Sequence, residues 1–294
     1  MSTGRRIVID CDPGIDDAVA LLLATAHPDL DLLAVTCVSG NKPVDITTAN
    51  ARRVLDLAGR SDVPVHRGAD RPLLNPAKPD RDFYGRDGLG DIGLPAPSRQ
   101  PDAAFAADAI VDTVMSAPAG AISLCAIGPL TNIALAMRKE RRLAGNLAEL
   151  VVMGGNLDPG ADAEFNISTD PAAAQIVLSS EAPLTLVPYN VTREVHAGAH
   201  TLDALAASSK ATASAAAAML RFREPEGSAL HDVCALAFII APDLLEARTG
   251  TVEVEWRAPA REGMTLATDP GDRHRIVTGA DVAAFERLLI SSLA

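Results

Sequence analysis

Short, continuously apolar runs alternate along the chain with longer stretches in which apolar residues recur every three or four positions. Ile7 to Ile9, Leu32 to Val38, Ile122 to Ala126, Leu150 to Met153 and Leu184 to Val187 read as buried strands. Between and after them, Asp16 to Ala26, Ile46 to Ala58, Pro129 to Arg142, Pro171 to Ser180 and Leu230 to Ile240 read as helices. The first ends before Pro28, and Asp170-Pro171 is a helix-start signal. Strands apolar on both faces, alternating with helices, predict an α/β fold: a mostly parallel central sheet flanked by helices. Near the C-terminus, Thr251 to Trp256 and Met264 to Ala267 predict a small antiparallel addition, followed by a helix from Asp281 to Leu293. The alanine-rich tract Ala204 to Met219 can form a helix despite its low complexity. Arg71 to Pro101 is rich in Pro and Gly and has little periodicity; such a loop is usually functional, often a lid, or else disordered. No repeat or clear linker divides the chain, so one domain over residues 1–294 is expected.

The net charge of −12 narrows the partners. The densest basic group is Arg138, Lys139, Arg141 and Arg142, too small for the positive footprint that DNA or RNA demands. A small substrate, neutral or partly cationic, fits better. Cys11, Cys37, Cys125 and Cys234 form no C-x-x-C pair and sit in or beside apolar runs, as in a reduced, cytoplasmic chain. Asp10 and Asp12 interrupt the first apolar run, so neither a signal peptide nor a membrane span is expected.

The segment Asp10-Cys11-Asp12-Pro13-Gly14-Ile15-Asp16-Asp17 directly follows the first strand. Helix capping explains one or two of its acids, but not four in eight residues. Ligands of open α/β sheets bind beyond the carboxyl ends of the strands, and Pro13-Gly14 can fold Asp12 back towards Asp16 and Asp17. Converging hard oxygens suit Ca²⁺ or Mg²⁺ and not zinc. Asn41 follows the second strand at the same edge, although Gly-Asn alone is an ordinary turn. The Ile127 carbonyl, in the turn before Gly128-Pro129-Leu130-Thr131-Asn132, is free of the ladder and available to a cation, or is simply part of a strand–helix turn. Glu164 and Asn166 bracket Phe165; the two polar groups can bind sugar hydroxyls while the ring packs inward. His231-Asp232 opens an apolar helix, with Asp232 a further metal ligand and His231 a proton donor, or the two are a cap. His196 and His200 have the i,i+4 spacing of a helical zinc pair, but Gly198 lies between them and no H-E-x-x-H glutamate is present.

In this order, over nearly the whole chain, these pieces resemble the inosine–uridine-preferring nucleoside hydrolase family. The resemblance is carried by Asp10 to Ala18, Gly40-Asn41, Gly128 to Asn132, Ala163 to Asn166 with Asp170-Pro171, and Leu230-His231-Asp232. It implies the nucleoside hydrolase fold, a homodimer or homotetramer, and hydrolysis of the N-glycosidic bond of ribonucleosides to nucleobase and ribose. It further implies a Ca²⁺ ion held by Asp12, Asp17, the Ile127 carbonyl and Asp232, with Asp12 also the base. Asp16 and Asn41 match residues that bind the ribose 2′- and 3′-hydroxyls. Glu164 and Asn166 match residues that hold the rest of the sugar, and His231 matches the acid that protonates the leaving base. The chain departs from the pattern at four points. The glycine loop is shorter, leaving Asn156 or Asp158 to replace a ribose-binding Asn. Tyr84 stands in the lid where a His is common, which bears on substrate preference. Val233 stands where Pro commonly follows His-Asp, and Asn190 replaces an Asp. A non-catalytic nucleoside- or ribose-binding protein is the main alternative. A Mg²⁺-dependent phosphatase of the D-x-D kind is the other, but Gly14 stands where it needs Thr or Val.

Overall fold

The computed structural model describes residues 4–77, 82–222, 227–268 and 271–294. Its first half runs β1 (Arg5–Cys11), α1 (Ile15–Ala26), β2 (Leu30–Cys37), α2 (Val44–Leu57), β3 (Val65–Arg67), α3 (Ala106–Met115), β4 (Ser123–Ala126), α4 (Thr131–Lys139), α5 (Leu143–Asn146) and β5 (Glu149–Met153). The second half runs α6 (Phe165–Thr169), α7 (Pro171–Leu178), β6 (Leu184–Val187), α8 (Tyr189–Thr192), β7 (His196–Gly198), α9 (Ala199–Ala207), α10 (Ala211–Arg221), β8 (Gly227–Ala229) and α11 (His231–Ile240). It closes with β9 (Leu245–Val254), β10 (Thr265–Thr268), β11 (His274–Ala280) and α12 (Val282–Leu293).

Nine strands form one sheet in the order β10-β9-β11-β6-β5-β4-β1-β2-β3. From β3 to β11 every pairing is parallel, with Ile9 opposite Val35 on one side and Cys125 on the other. The expected antiparallel pair is present, with Thr265 opposite Val254. It is attached to the central sheet through β11, which the hydrophobic pattern does not reveal and which joins β9 antiparallel and β6 parallel. A second, two-stranded antiparallel sheet joins β7 and β8.

The central strands are buried on both faces, so their side chains feed two apolar layers. Ile7, Ile9 and Val35 belong to one apolar layer with residues of α1, α10 and α11; Val8, Leu124 and Val152 belong to the other with residues of α3, α4 and α7. Ile15 to Ala24 are all buried, because α1 lies between the sheet and neighbouring helices. A helix apolar all round is one that is covered all round.

Two helices are shorter than the hydrophobic pattern suggests. Of the stretch Pro129 to Arg142 only Thr131–Lys139 is helical, as α4, and the short α5 starts beyond it at Leu143; the alanine-rich tract splits into α9 and α10 at Ser208 to Lys210. Ser208 accepts the Lys210 N–H through its hydroxyl, the local competition by which serine interrupts a helix. His196 lies in β7 and His200 in α9, so the two never share a helix face and the zinc spacing has no geometric meaning.

Candidate active site

Parallel strands bring the loops after β1, β2, β4 and β5 to one edge of the sheet. There the chain turns through Pro13-Gly14 into α1. Asp17 closes the turn: its Oδ1 accepts the Asp12 N–H at 3.0 Å and its Oδ2 the Gly14 N–H at 2.9 Å. This is half of a capping box, so the acid expected at a cation also organises its own loop. Asn41 locks the second loop onto the first. Its N–H donates to Asp12 Oδ2 at 2.6 Å, and its side-chain amide donates to Asp12 O at 3.2 Å and Asp17 Oδ2 at 3.3 Å.

The other Asp12 oxygen, Oδ1, is buried and has no hydrogen-bond partner among the described residues. Two glycines make room for this carboxylate. A Cβ on Gly40 would overlap Oδ2, and one on Gly128 would stand 2.6 Å from Oδ1. Asp232, in the first turn of α11, completes the group: one oxygen each from Asp16, Asp17 and Asp232 lie within 4.8 Å of one another. Burial raises the Asp12 and Asp232 carboxyls well above the usual aspartate range, and the neighbouring acids push them further. Asp17 rises to about 7 for the same reasons, burial first and the charge of Asp16 next. An orphaned buried carboxylate oxygen beside three converging acids fits a hard divalent cation, which would discharge the repulsion.

Asp10, the first acid of the motif, lies one layer below. It stays in β1, accepting from Thr36 Oγ1 at 2.5 Å and Asn132 Nδ2 at 2.8 Å, and burial pushes it up to about 7. Asn132 also donates to Cys37 O and accepts the Ala69 N–H, so one side chain ties the ends of β1 and β2 to the segment after β3. In the sequence nothing sets Asn132 apart beyond its place at the end of Gly128 to Asn132.

Ile127 follows the last paired residue of β4, and its carbonyl accepts from Asn166 Nδ2 at 2.9 Å. Glu164 caps α6: Oε1 accepts the Asn166 N–H, and Oε2 accepts those of Ile167 and Gly155. Phe165 does not pack inward; it is 40 % exposed. Glu164 is an extended cap residue and not part of the helix, so it and Asn166 both reach the sheet edge while Phe165 between them points out. Asn156 and Asp158 lie in the loop between β5 and α6. The Asn156 Oδ1 accepts the Asp158 N–H at 3.3 Å, and Asp158 pairs with Arg193 at 3.1 Å. Asn190 holds the same loop by accepting the Leu157 N–H.

Tyr84 lies over the carboxylate turn, its ring 2.7 Å from where a Gly14 Cβ would be. With Ile15, Asp16, Leu220, Ser228, Ala229 and His231 it lines a small pocket. His231 Nδ1 is 2.8 Å from Thr192 Oγ1, and its ring stacks on Tyr189 at 5.3 Å between centroids. Neither Thr192 nor Tyr189 is signalled by the sequence, since both sit beyond β6 in an ordinary-looking helical turn. Two more undetected residues, Lys42 and Asn50, are buried polar groups bonded to the segment that carries Tyr84, at Asp82 and Asp87.

The fold and the site meet in a known class. The chain belongs to the inosine-uridine preferring nucleoside hydrolase family, whose model matches residues 7–287. It is 37 % identical to a pyrimidine-specific ribonucleoside hydrolase, RihA, of a Shewanella species, over 99 % of this chain and 96 % of the relative. It is 34 % identical to the inosine-uridine preferring nucleoside hydrolase of Crithidia fasciculata, over 98 % and 97 %. A purine-preferring ribonucleoside hydrolase from Gardnerella vaginalis superposes with a TM-score of 0.92 at 27 % identity, covering 98 % of both chains. The protein is therefore a ribonucleoside hydrolase, of a family that is in general metal-dependent. Among the described residues no helix is long and apolar enough to cross a membrane.

Proposed function

We propose that residues 1–294 act as one domain that hydrolyses ribonucleosides to nucleobase and ribose, with Ca²⁺ as the resident cation and water as the nucleophile. The observation that carries this reading is Asp12 Oδ1, buried without a partner beside the converging oxygens of Asp16, Asp17 and Asp232. Asp12, Asp17, the Ile127 carbonyl and Asp232 would hold the cation. When bound, it supplies Lewis acidity that brings the pKa of a water towards neutrality.

Everything else is done by the chain. Asp12 accepts the proton of the attacking water at Oδ1, while the Asn41 N–H on Oδ2 keeps the carboxylate aimed. Asp16 borders both the acid cluster and the Tyr84–His231 pocket, which suits it to hold the ribose 2′-hydroxyl with Asn41. Asn166 spends its amide protons on the Ile127 and Met153 carbonyls, so its oxygen is the atom left for a hydroxyl of the sugar, beside Glu164. Cleavage develops positive charge on the sugar and negative charge on the base. The acids favour the first, and a proton from His231 neutralises the second.

The binding-only reading requires a site that holds ribose and does nothing to it, and the paired base and acid argue against that. Substrate comparison tests the assignment. A site that bonds a hydroxyl rejects the analogue lacking it by about 10⁴-fold in good cases. Uridine and inosine should turn over far faster than their 2′-deoxy forms; comparable rates would show that Asp16 and Asn41 do not bind the 2′-hydroxyl.

A further inference from the structure

Asn50 belongs to α2 and touches none of the site acids, yet it is fully buried next to them. Both protons of its amide are used on loops that border the pocket. One goes to the Pro13 carbonyl at 3.2 Å, in the turn between Asp12 and Asp17; the other goes to the Asp87 carbonyl at 2.7 Å, in the lid. Its Oδ1 accepts from Arg53. We propose that Asn50 is a positioning residue: it docks lid segment 82–91 onto the carboxylate turn and thereby sets how tightly the substrate pocket closes. The inference rests on the nucleoside hydrolase reading for its kinetic half and on geometry alone for its structural half.

The segment is shaped for this seat. Gly88 has φ +81°, and a Cβ there would stand 3.1 Å from both Asn50 Nδ2 and Lys42 Cγ. Lys42, likewise buried, donates to Asp82 at the start of the segment, 2.9 Å away. Leu89 is fully buried in the core, and the Gly90 N–H returns to the Tyr84 carbonyl at 2.8 Å. Together these contacts hold Tyr84 over Gly14, across the pocket from His231. Lifting the segment strips a buried amide N–H of its acceptor, a cost borne where water enters poorly. The same side chain holds Pro13, so the height of the lid and the shape of the turn are set from one point.

Asn50 meets no reacting atom, so its loss should weaken the closed pocket for substrate and transition state alike. That signature is a raised KM with kcat nearly unchanged. One hydrogen bond corresponds to a change of about 3- to 10-fold. The test uses Asn50→Ser and Gly88→Ala in the full-length protein. Gly88→Ala presses on the amide from the lid side and leaves the core untouched, so it still reports if Asn50→Ser folds poorly. Trypsin cleavage after Arg86, whose side chain is 87 % exposed, reads lid docking by mass without any reference to activity. Both variants should be cut several-fold faster at that bond than wild type. Both should raise KM for uridine or inosine, and the double variant should show less than the sum of the two effects. Unchanged cleavage after Arg86 in both variants would overturn the docking role. Faster cleavage with kcat and kcat/KM falling together would overturn the claim that Asn50 acts through closure. If no nucleoside is hydrolysed at all, the cleavage result still decides the docking.

Discussion

His231 is held by two neighbours, the Thr192 hydroxyl at Nδ1 and the ring of Tyr189 beneath it. The Thr192 hydroxyl also lies 3.3 Å from the Tyr189 carbonyl, to which it donates. With the hydroxyl proton on that carbonyl, Nδ1–H donates to the Thr192 oxygen, so the other ring nitrogen has a proton to give to the leaving base when His231 is the imidazolium. General acid catalysis contributes roughly 10²–10⁴-fold. His231→Ala should therefore slow inosine and uridine by about that factor, and leave 4-nitrophenyl riboside, whose leaving group departs as a stable anion, near the wild-type rate. Equal losses on both substrates would show that His231 binds ribose or is structural. Asp12→Asn removes the base but keeps the shape, so turnover should vanish with the circular dichroism spectrum unchanged. Gly40→Ala reaches the same carboxylate from outside: the new methyl overlaps Asp12 Oδ2. It should cost most of the activity while the protein still folds, and wild-type kcat in that variant would mean that the Asp12 carboxylate has room to move.

Among the elements, those that the pattern reveals are the ones whose own residues decide them. Leu184 to Val187 is a strand with the expected bounds, and α12 starts after Asp281, which caps it through the Ala284 N–H. Strands β3, β7 and β8 have three residues each, too short for any period to show. β11 buries His274, Ile276 and Val277 amid exposed neighbours, and its place between β6 and β9 is decided by partners nearly a hundred and some thirty residues away. The carboxylate turn, Asn41 and His231-Asp232 are legible for the opposite reason, since clustered acids and a helix-start His-Asp stand out locally. Asn132 is harder to see. It is one polar residue at a helix start, and its three partners come from three separate strand ends. Asn132→Ala leaves Asp10 with a single donor and strands the Ala69 N–H, so it should destabilise the protein by about 2–4 kcal/mol in denaturant unfolding. A loss under about 0.5 kcal/mol would mean that water replaces those bonds.

At the scale of the molecule, the parallel sheet gathers like charges at one edge and stores their repulsion there. Asp10 and Asp17 both titrate near 7 in the fold, against about 3.9 in an unfolded chain. Protons bound only by the folded state stabilise it while they stay bound, so the metal-free protein should lose stability as pH rises from about 4 to about 7. A cation competes with the proton for the Asp17 oxygens, so its stabilisation should grow over that range. Melting curves with and without Ca²⁺ should differ little at pH 5 and clearly at pH 7.5. A gain in Tm that is equal at both pH values would detach the cation from these acids.

The most direct measurement of the central claim is release of reducing sugar from uridine and inosine by protein stripped of metal, before and after Ca²⁺ is returned. A cation site built on Asp12, Asp17 and Asp232 predicts no ribose from the stripped protein. It predicts ribose and free base in equal amounts once Ca²⁺ is present. Full activity after exhaustive stripping would contradict the account.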